Sequence, residues 1–199
     1  MLGKSRNRYP GIEILKTEKQ VDRRIKEMAG EVIEIYRGRK PFFLTLLHGG
    51  EPFAAKLMSS IARQDPSFNP NQSTIIISRY GPGRTPGELT IVAPITERVR
   101  RDMQGREVIL LDDLIDGGET AREARRHALE NGAGSVGMIT LVTKEHSPTA
   151  DIPLVMTGFP NMPNGWLLGS GMNGPNEAHR WDGYIALDLS SPPSTSGSD

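Results

Sequence analysis

The 199-residue chain contains no cysteine, which excludes a disulfide scaffold, a thiolate metal site and a cysteine nucleophile. It has no excess charge of either sign, since 24 basic residues face 24 acidic ones. Broad binding to nucleic acid or an anionic membrane needs a positive surplus, so neither partner is expected. Long hydrophobic runs are missing as well. The apolar stretch at 42–47, FFLTLL, is far shorter than the ~18 residues that span a bilayer. The polar first eleven residues lack the apolar segment of a secretory signal, so a cytoplasmic location is expected. Repeats and long low-complexity tracts are absent from the sequence too.

Glycine and proline, by contrast, are abundant. Gly 22 and Pro 15 together make up about 19% of the chain, against ~12% in an average protein. The length suits one domain with its own core. Residues 1–13 are expected to be a flexible N-terminus, 14–189 a single domain and 190–199, rich in Ser and Pro, a disordered tail.

Thr17 and Gln20 have capping-box spacing. Val21, Ile25, Met28, Val32 and Ile35 follow the helical period, predicting a helix over 17–37. Strands are expected at 42–47, 74–78, 89–93, 108–111 and 136–142, with helices at 51–63 and 119–131. Continuous apolar strands separated by helices predict an α/β fold with a mainly parallel twisted sheet covered on both faces. The core is expected at about 14–145. After Lys144 the Gly- and Pro-rich segment 146–189, with short strands at 166–168 and 184–189, is expected to form a small hood.

The most informative stretch is 108–120, VILLDDLIDGGET. A buried strand runs into Asp112 and Asp113, then Asp116, two glycines and a helix. Ligands of parallel sheets bind beyond the carboxyl ends of the strands. Glycines at a helix start expose N–H groups to an anion, and paired carboxylates can hold sugar hydroxyls or a hard cation. Asp116 and Glu119 also have the spacing of an ordinary helix cap, and spacing alone leaves both readings of Asp116 open. Capping does not explain Asp112 and Asp113.

This stretch resembles the phosphoribosyl pyrophosphate (PRPP) signature of the type I phosphoribosyltransferases. From about residue 14 to 188 the chain is similar to their hypoxanthine-guanine (6-oxopurine) branch. The similarity takes in the helix VDRRIKEMAGEVIEIYRGR, the LHGG turn, the loop RYGPGRTPGEL, LVTKE, GWLLGSGMN and HRWDG. It implies the type I phosphoribosyltransferase fold and transfer of phosphoribose from PRPP to hypoxanthine or guanine. The products would be the nucleoside 5′-monophosphate and pyrophosphate, in purine salvage, with Mg²⁺ as cofactor and a dimer or tetramer as assembly.

Carried over by position, the resemblance makes Asp112 and Asp113 ligands of the ribose hydroxyls and organisers of Mg²⁺. Asp116 becomes the general base. Asp116, Gly117, Gly118, Glu119 and Thr120 would wrap the 5′-phosphate, while His48, Gly49 and Arg180 would bind pyrophosphate. Arg79 and Tyr80 would lead a loop that closes over the site. Lys144 would donate to the purine 6-oxo group, Trp166 would stack on the base and Leu167 would read its other edge through the backbone.

Several positions depart from the family pattern. Gly117 and Glu119 stand for the usual Thr and Lys, His48 for Lys, Arg79 for Ser and Asp112 for Glu. Asn173 replaces a metal-side Asp, which puts a second metal and the 2-position preference in question. These departures motivate a second reading, the same chemistry on xanthine or another base. A third is a regulatory or RNA-binding protein with weak transferase activity. His127, His146 and His179 share no ligand spacing and are read as structural or surface residues. Arg98, Arg100 and Arg101 are read as a solvated helix face.

Overall fold

The computed structural model describes residues 11–80, 86–173 and 179–190. The loop expected over 79–87 falls in part outside them, as do residues 1–10 and the tail beyond Ser190.

The elements in chain order are β1 (Ile12–Lys16), α1 (Glu18–Ile35), β2 (Phe42–Leu47), α2 (Gly50–Gln64), β3 (Asn71–Tyr80), β4 (Pro86–Ala93), α3 (Glu97–Met103), β5 (Glu107–Ile115), α4 (Glu119–Glu130), β6 (Ser135–Lys144), β7 (Leu154–Met162), β8 (Trp166–Leu168) and β9 (Ile185–Asp188). Thr17 caps α1, and the reciprocal capping box with Gln20 is present. Six strands form the main sheet in the order β4-β3-β2-β5-β6-β7. Its pairings are parallel except for the β3–β4 hairpin at one edge.

The central strands β2, β5 and β6 are apolar over most of their length because both faces of the sheet are covered there. Phe43, Ile109, Leu111, Ile139 and Leu141 point to one face, against Val21, Ile25 and Met28 of α1 and Phe53 and Leu57 of α2. Their sequence neighbours Phe42, Leu44, Leu110 and Met138 point to the other, against Ala121, Ala124 and Ala128 of α4 and Met103 of α3. Alternate side chains on opposite faces, all buried, require an unbroken apolar run.

A second, antiparallel sheet has the order β1-β9-β8. Here the structure corrects two expected boundaries. Ile12 to Lys16 pair with β9, so residues 12 and 13 belong to a strand, and β1 joins the small sheet of the hood instead of the core. β7 pairs with β6 in the main sheet, so the core extends to Met162. Gly158 and Pro160 disguise β7 in sequence, and an edge strand tolerates both. The hood sheet is therefore built from both ends of the chain.

Candidate active site

Register explains how the site forms. Thr45 of β2 pairs with Leu111 of β5, so the turn after β2 lies beside Asp112 and Asp113. Ile115 of β5 pairs with Thr143 of β6, so Asp116 emerges beside Lys144. The carboxyl ends of three adjacent strands thus frame one cavity of ≈ 340 Å³. Gly49 borders it from the β2 turn, with Asp112, Asp113, Asp116 and Thr120 from β5 and α4, Lys144 from β6, Trp166 and Leu167 from β8, and Asn173 beyond.

Asp112 and Asp113 are buried, and the Asp113 amide donates to Asp112 Oδ1 at 3.0 Å. Burial pushes the Asp112 carboxyl well above the ordinary carboxylate range, and the neighbouring charge of Asp113 adds to the rise. Burial raises Asp113 as well, against the downward pull of hydrogen bonding with Asp112 and of the Arg180 charge. Gly49 packs closely on the carboxylate, since a Cβ there would lie 2.6 Å from Asp113 Oδ1 and the Asp113 side chain would have to move. The Leu47–His48 peptide bond is cis. His48 itself is exposed and does not line the cavity.

α4 begins at Gly118, whose φ of 77° is left-handed and makes no side-chain capping bond. Asp116 is therefore no helix cap. Its Oδ2 accepts from the Lys144 ammonium at 2.9 Å, and its Oδ1 lies 2.9 Å from His146 Nε2. The Lys144 side chain is 2% exposed and that of Asp116 37%. Around Gly117 and Gly118, amides at a helix N-terminus with no side-chain cap are suited to an anion. Glu119 is exposed, its carboxylate folded over Gly117.

Trp166 stands at the rim, 43% exposed, and its indole Nε1 donates to the Asn173 carbonyl at 2.5 Å. Asn173 Oδ1 accepts from Arg180 Nε at 2.6 Å. One residue thus ties the rim tryptophan to the arginine whose charge reaches Asp113. Of Arg79 and Tyr80, only the backbone at the end of β3 lies within the described residues. Sequence reading missed His146, which the structure places on Asp116. Its only signal was a position two residues past Lys144.

A larger cavity of ≈ 490 Å³ opens at the opposite end of the sheet, lined in part by Arg37, Arg39, Lys40, Asp65 and Arg106. Arg37 and Arg39 are paired with Glu34 and Glu107, and Arg106 donates to three backbone carbonyls. The three arginines of this cavity thus already have partners within the chain.

Residues 11–166 match the phosphoribosyl transferase domain family. The chain is 26% identical over 161 residues to the hypoxanthine-guanine phosphoribosyltransferase of Lactococcus lactis, covering 81% of this chain and 82% of that one. It is 26% identical over 165 residues to the hypoxanthine-guanine-xanthine enzyme of Tritrichomonas foetus, covering 82% and 85%. In fold it is similar to the Trypanosoma cruzi hypoxanthine phosphoribosyltransferase in complex with the product IMP. That likeness has a TM-score of 0.75 at 20% identity and covers 90% of this chain and 96% of that one. A Bacillus anthracis hypoxanthine-guanine phosphoribosyltransferase gives a TM-score of 0.73 at 23% identity, covering 88% and 97%. The family match runs from the residue before β1 to the first residue of β8 and takes in every aspartate of the cavity, and on that extent the chain belongs to the phosphoribosyl transferase domain family.

Proposed function

We propose that the chain transfers the phosphoribosyl group of PRPP to a 6-oxopurine, hypoxanthine or guanine, giving the nucleoside 5′-monophosphate and pyrophosphate. The observation that carries this is the placement of a buried carboxylate pair and an Asp–Lys pair at adjoining strand ends under one rim tryptophan. Supporting it are relatives named for the same activity.

Each residue type suits its part. Asp112 and Asp113 accept hydrogen bonds from the ribose hydroxyls. The amides of 117–120 and the Thr120 hydroxyl hold the 5′-phosphate, with the helix dipole adding to the attraction. His48 and Gly49 offer backbone donors to the pyrophosphate, and Arg180 offers its guanidinium. Arg79 and Tyr80 lead the loop that closes over the site and excludes water. Trp166 stacks on the base. Lys144 donates to O6, which favours oxopurines over adenine, whose amino group is itself a donor. An ammonium has three donors, so holding Asp116 and reaching O6 are compatible. Leu167 lies in an edge strand, where alternate backbone groups face away from the neighbouring strand and can meet the base edge. Asp116 takes the purine proton as the new N–C1′ bond forms.

Mg²⁺ fits as a cation carried largely by its substrate. Among the described residues no group of three or more His, Asp or Glu side chains is arranged to hold a metal. Mg²⁺ ordinarily uses one or two carboxylates together with phosphates and water. Asp112 and Asp113 are the two available here, whereas Asn173 Oδ1 already accepts from Arg180. Bound there, Mg²⁺ would offset the charge on the leaving pyrophosphate. The proposal includes a cytoplasmic homo-oligomer, a dimer or tetramer, which light scattering would size.

An absorbance assay with PRPP, Mg²⁺ and a panel of hypoxanthine, guanine, xanthine, adenine, uracil and orotate tests the reading. Turnover is expected with hypoxanthine or guanine, and Asp116→Asn should lower kcat by ~10²-fold or more while PRPP still binds. No turnover with any 6-oxopurine would remove the proposal.

A further inference from the structure

Arg180 lies in the turn that precedes β9, and that turn is closed twice. The Asp182 amide donates to the His179 carbonyl at 3.0 Å. Across the same turn, Asp182 Oδ2 lies 2.8 Å from His179 Nδ1. An ionised carboxylate only accepts, so Nδ1 carries a proton and donates it. The Tyr184 hydroxyl donates to the same oxygen at 2.7 Å and lies 2.7 Å from His179 Nδ1. The three side chains thus form one knot on the Asp182 carboxylate. His179 has a φ of 71°, a left-handed backbone that a non-glycine residue keeps only where its surroundings hold it.

The closed turn is docked on the carboxylate pair through Gly171. The Gly171 amide donates to the Arg180 carbonyl at 2.8 Å, and the Ser170 amide donates to the Asp182 carbonyl at 2.7 Å. Gly171 has a φ of 112° and sits hard against the site. A Cβ there would overlap the Gly49 carbonyl oxygen and lie 2.9 Å from Asp113 Cβ. The Arg180 side chain is steadied separately, since Nε donates to Asn173 Oδ1 at 2.6 Å. The terminal N–H groups of a guanidinium are the ones that match two phosphate oxygens at once.

We infer that His179, Asp182 and Tyr184 are positioning residues that preset Arg180 to clamp the pyrophosphate of PRPP. This rests on the proposed function, in which Arg180 binds pyrophosphate. An arginine on an untied loop gives up backbone and rotamer freedom each time it binds, and that cost weakens the contact. Here the knot fixes the backbone of Arg180 and Asn173 fixes its Nε, so the ordering is done before the ligand arrives. None of the three knot side chains lines the cavity, so their effect on the ligand runs through Arg180. The groups proposed for the 5′-phosphate and the base belong to other elements, α4, β6 and β8. Loss of the knot therefore acts on the pyrophosphate end of the site.

The test is calorimetric titration of the full chain with pyrophosphate in Mg²⁺ and, separately, with IMP. Asp182→Ala should raise the Kd for pyrophosphate about tenfold, the scale of one charge-assisted hydrogen bond. The Kd for IMP should stay within about twofold. His179→Asn keeps an N–H donor at the δ position and tolerates the left-handed backbone, so it should bind pyrophosphate like the unmodified chain. His179→Gly keeps the backbone alone and should lose affinity as Asp182→Ala does. In an Arg180→Gln background, Asp182→Ala should cost nothing further, because its effect runs through the arginine. Tyr184→Phe removes one hydroxyl and carries the same comparison if Asp182→Ala does not fold. Equal losses toward pyrophosphate and IMP overturn the positioning role, as do additive losses in the Arg180→Gln background. His179→Gly binding as tightly as His179→Asn overturns it too. Absence of transfer by the unmodified chain with PRPP, Mg²⁺ and any 6-oxopurine overturns the proposed function, whereas transfer without pyrophosphate-specific losses overturns the positioning alone.

Discussion

At the scale of single residues, Lys144 and Glu119 make opposite demands on substrate charge. Lys144 is almost wholly buried, an expensive place for an ammonium unless a partner and a ligand use it. Lys144→Ala should cost ~1.5–3 kcal/mol toward hypoxanthine, roughly 10- to 100-fold in kcat/KM. Adenine should be rejected less strongly as a result. Steady-state kinetics with both bases measure this, and unchanged discrimination would move the O6 contact to another residue. Glu119 sets an exposed carboxylate over Gly117, where the 5′-phosphate is proposed to bind. Glu119→Gln should lower the PRPP KM about two- to fivefold, the effect of a solvent-screened charge worth ≲1 kcal/mol. The benefit should shrink at high salt. Asp112 and Asp113 stood out in the sequence because they follow the apolar run 108–111 directly, whereas Lys144 was singled out only by the family resemblance. His146 and Asn164 did not stand out. His146 in the turn after β6 and Asn164 in the turn before β8 are 18 residues apart, and they meet because the chain doubles back after Lys144 and β7 then runs parallel beside β6 to the same end. No local pattern encodes that return.

At the scale of elements, α4 shows how packing places chemistry. Its inner face is alanine at 121, 124 and 128, so the helix axis lies close to β5 and β6 and its N-terminus is held beside the cavity. Ala124 is fully buried. Ala124→Leu would force three extra carbons into a filled layer and should destabilise by ~1–3 kcal/mol. Because the displaced helix carries the 117–120 amides, PRPP affinity should fall along with thermal stability. A variant that loses stability but keeps PRPP affinity would show that α4 yields elsewhere. The helices and inner strands were readable because period 3.6 and unbroken apolar runs are strong local signals. β7 and β1 were misjudged for different reasons. Gly158 and Pro160 weaken the strand pattern of β7, which lies at an edge. Ile12–Lys16 has ordinary strand chemistry, but its partner β9 is almost the whole chain away, so sequence gave no hint of which sheet it joins.

At the scale of the whole molecule, the site is a compromise with stability. Two adjacent buried carboxyls, Asp112 and Asp113, have raised proton affinity because burial opposes the ionisation of both, and the charge of Asp113 adds to the rise of Asp112. The folded chain therefore holds protons that the unfolded chain has released. The sign follows: stability without ligand falls as pH rises from the ordinary aspartate pKa of ~3.9 through the raised range, and the loss persists above it. Asp112→Asn removes one charge and keeps an oxygen to accept from the Asp113 amide. In EDTA, without PRPP, this variant should be more stable than the unmodified chain at neutral pH by about 1 kcal/mol, roughly 2–4 °C in Tm. The gap should close as the pH falls toward the carboxylate range. PRPP with Mg²⁺ should reverse the order, since ligand at 100-fold its Kd adds ~2.7 kcal/mol to a chain that binds it and the variant has lost a ribose contact. Thermal unfolding at several pH values, with and without PRPP and Mg²⁺, measures both halves. A less stable Asp112→Asn at neutral pH would mean that the pair holds the fold together, and the cost assigned to its burial would be wrong.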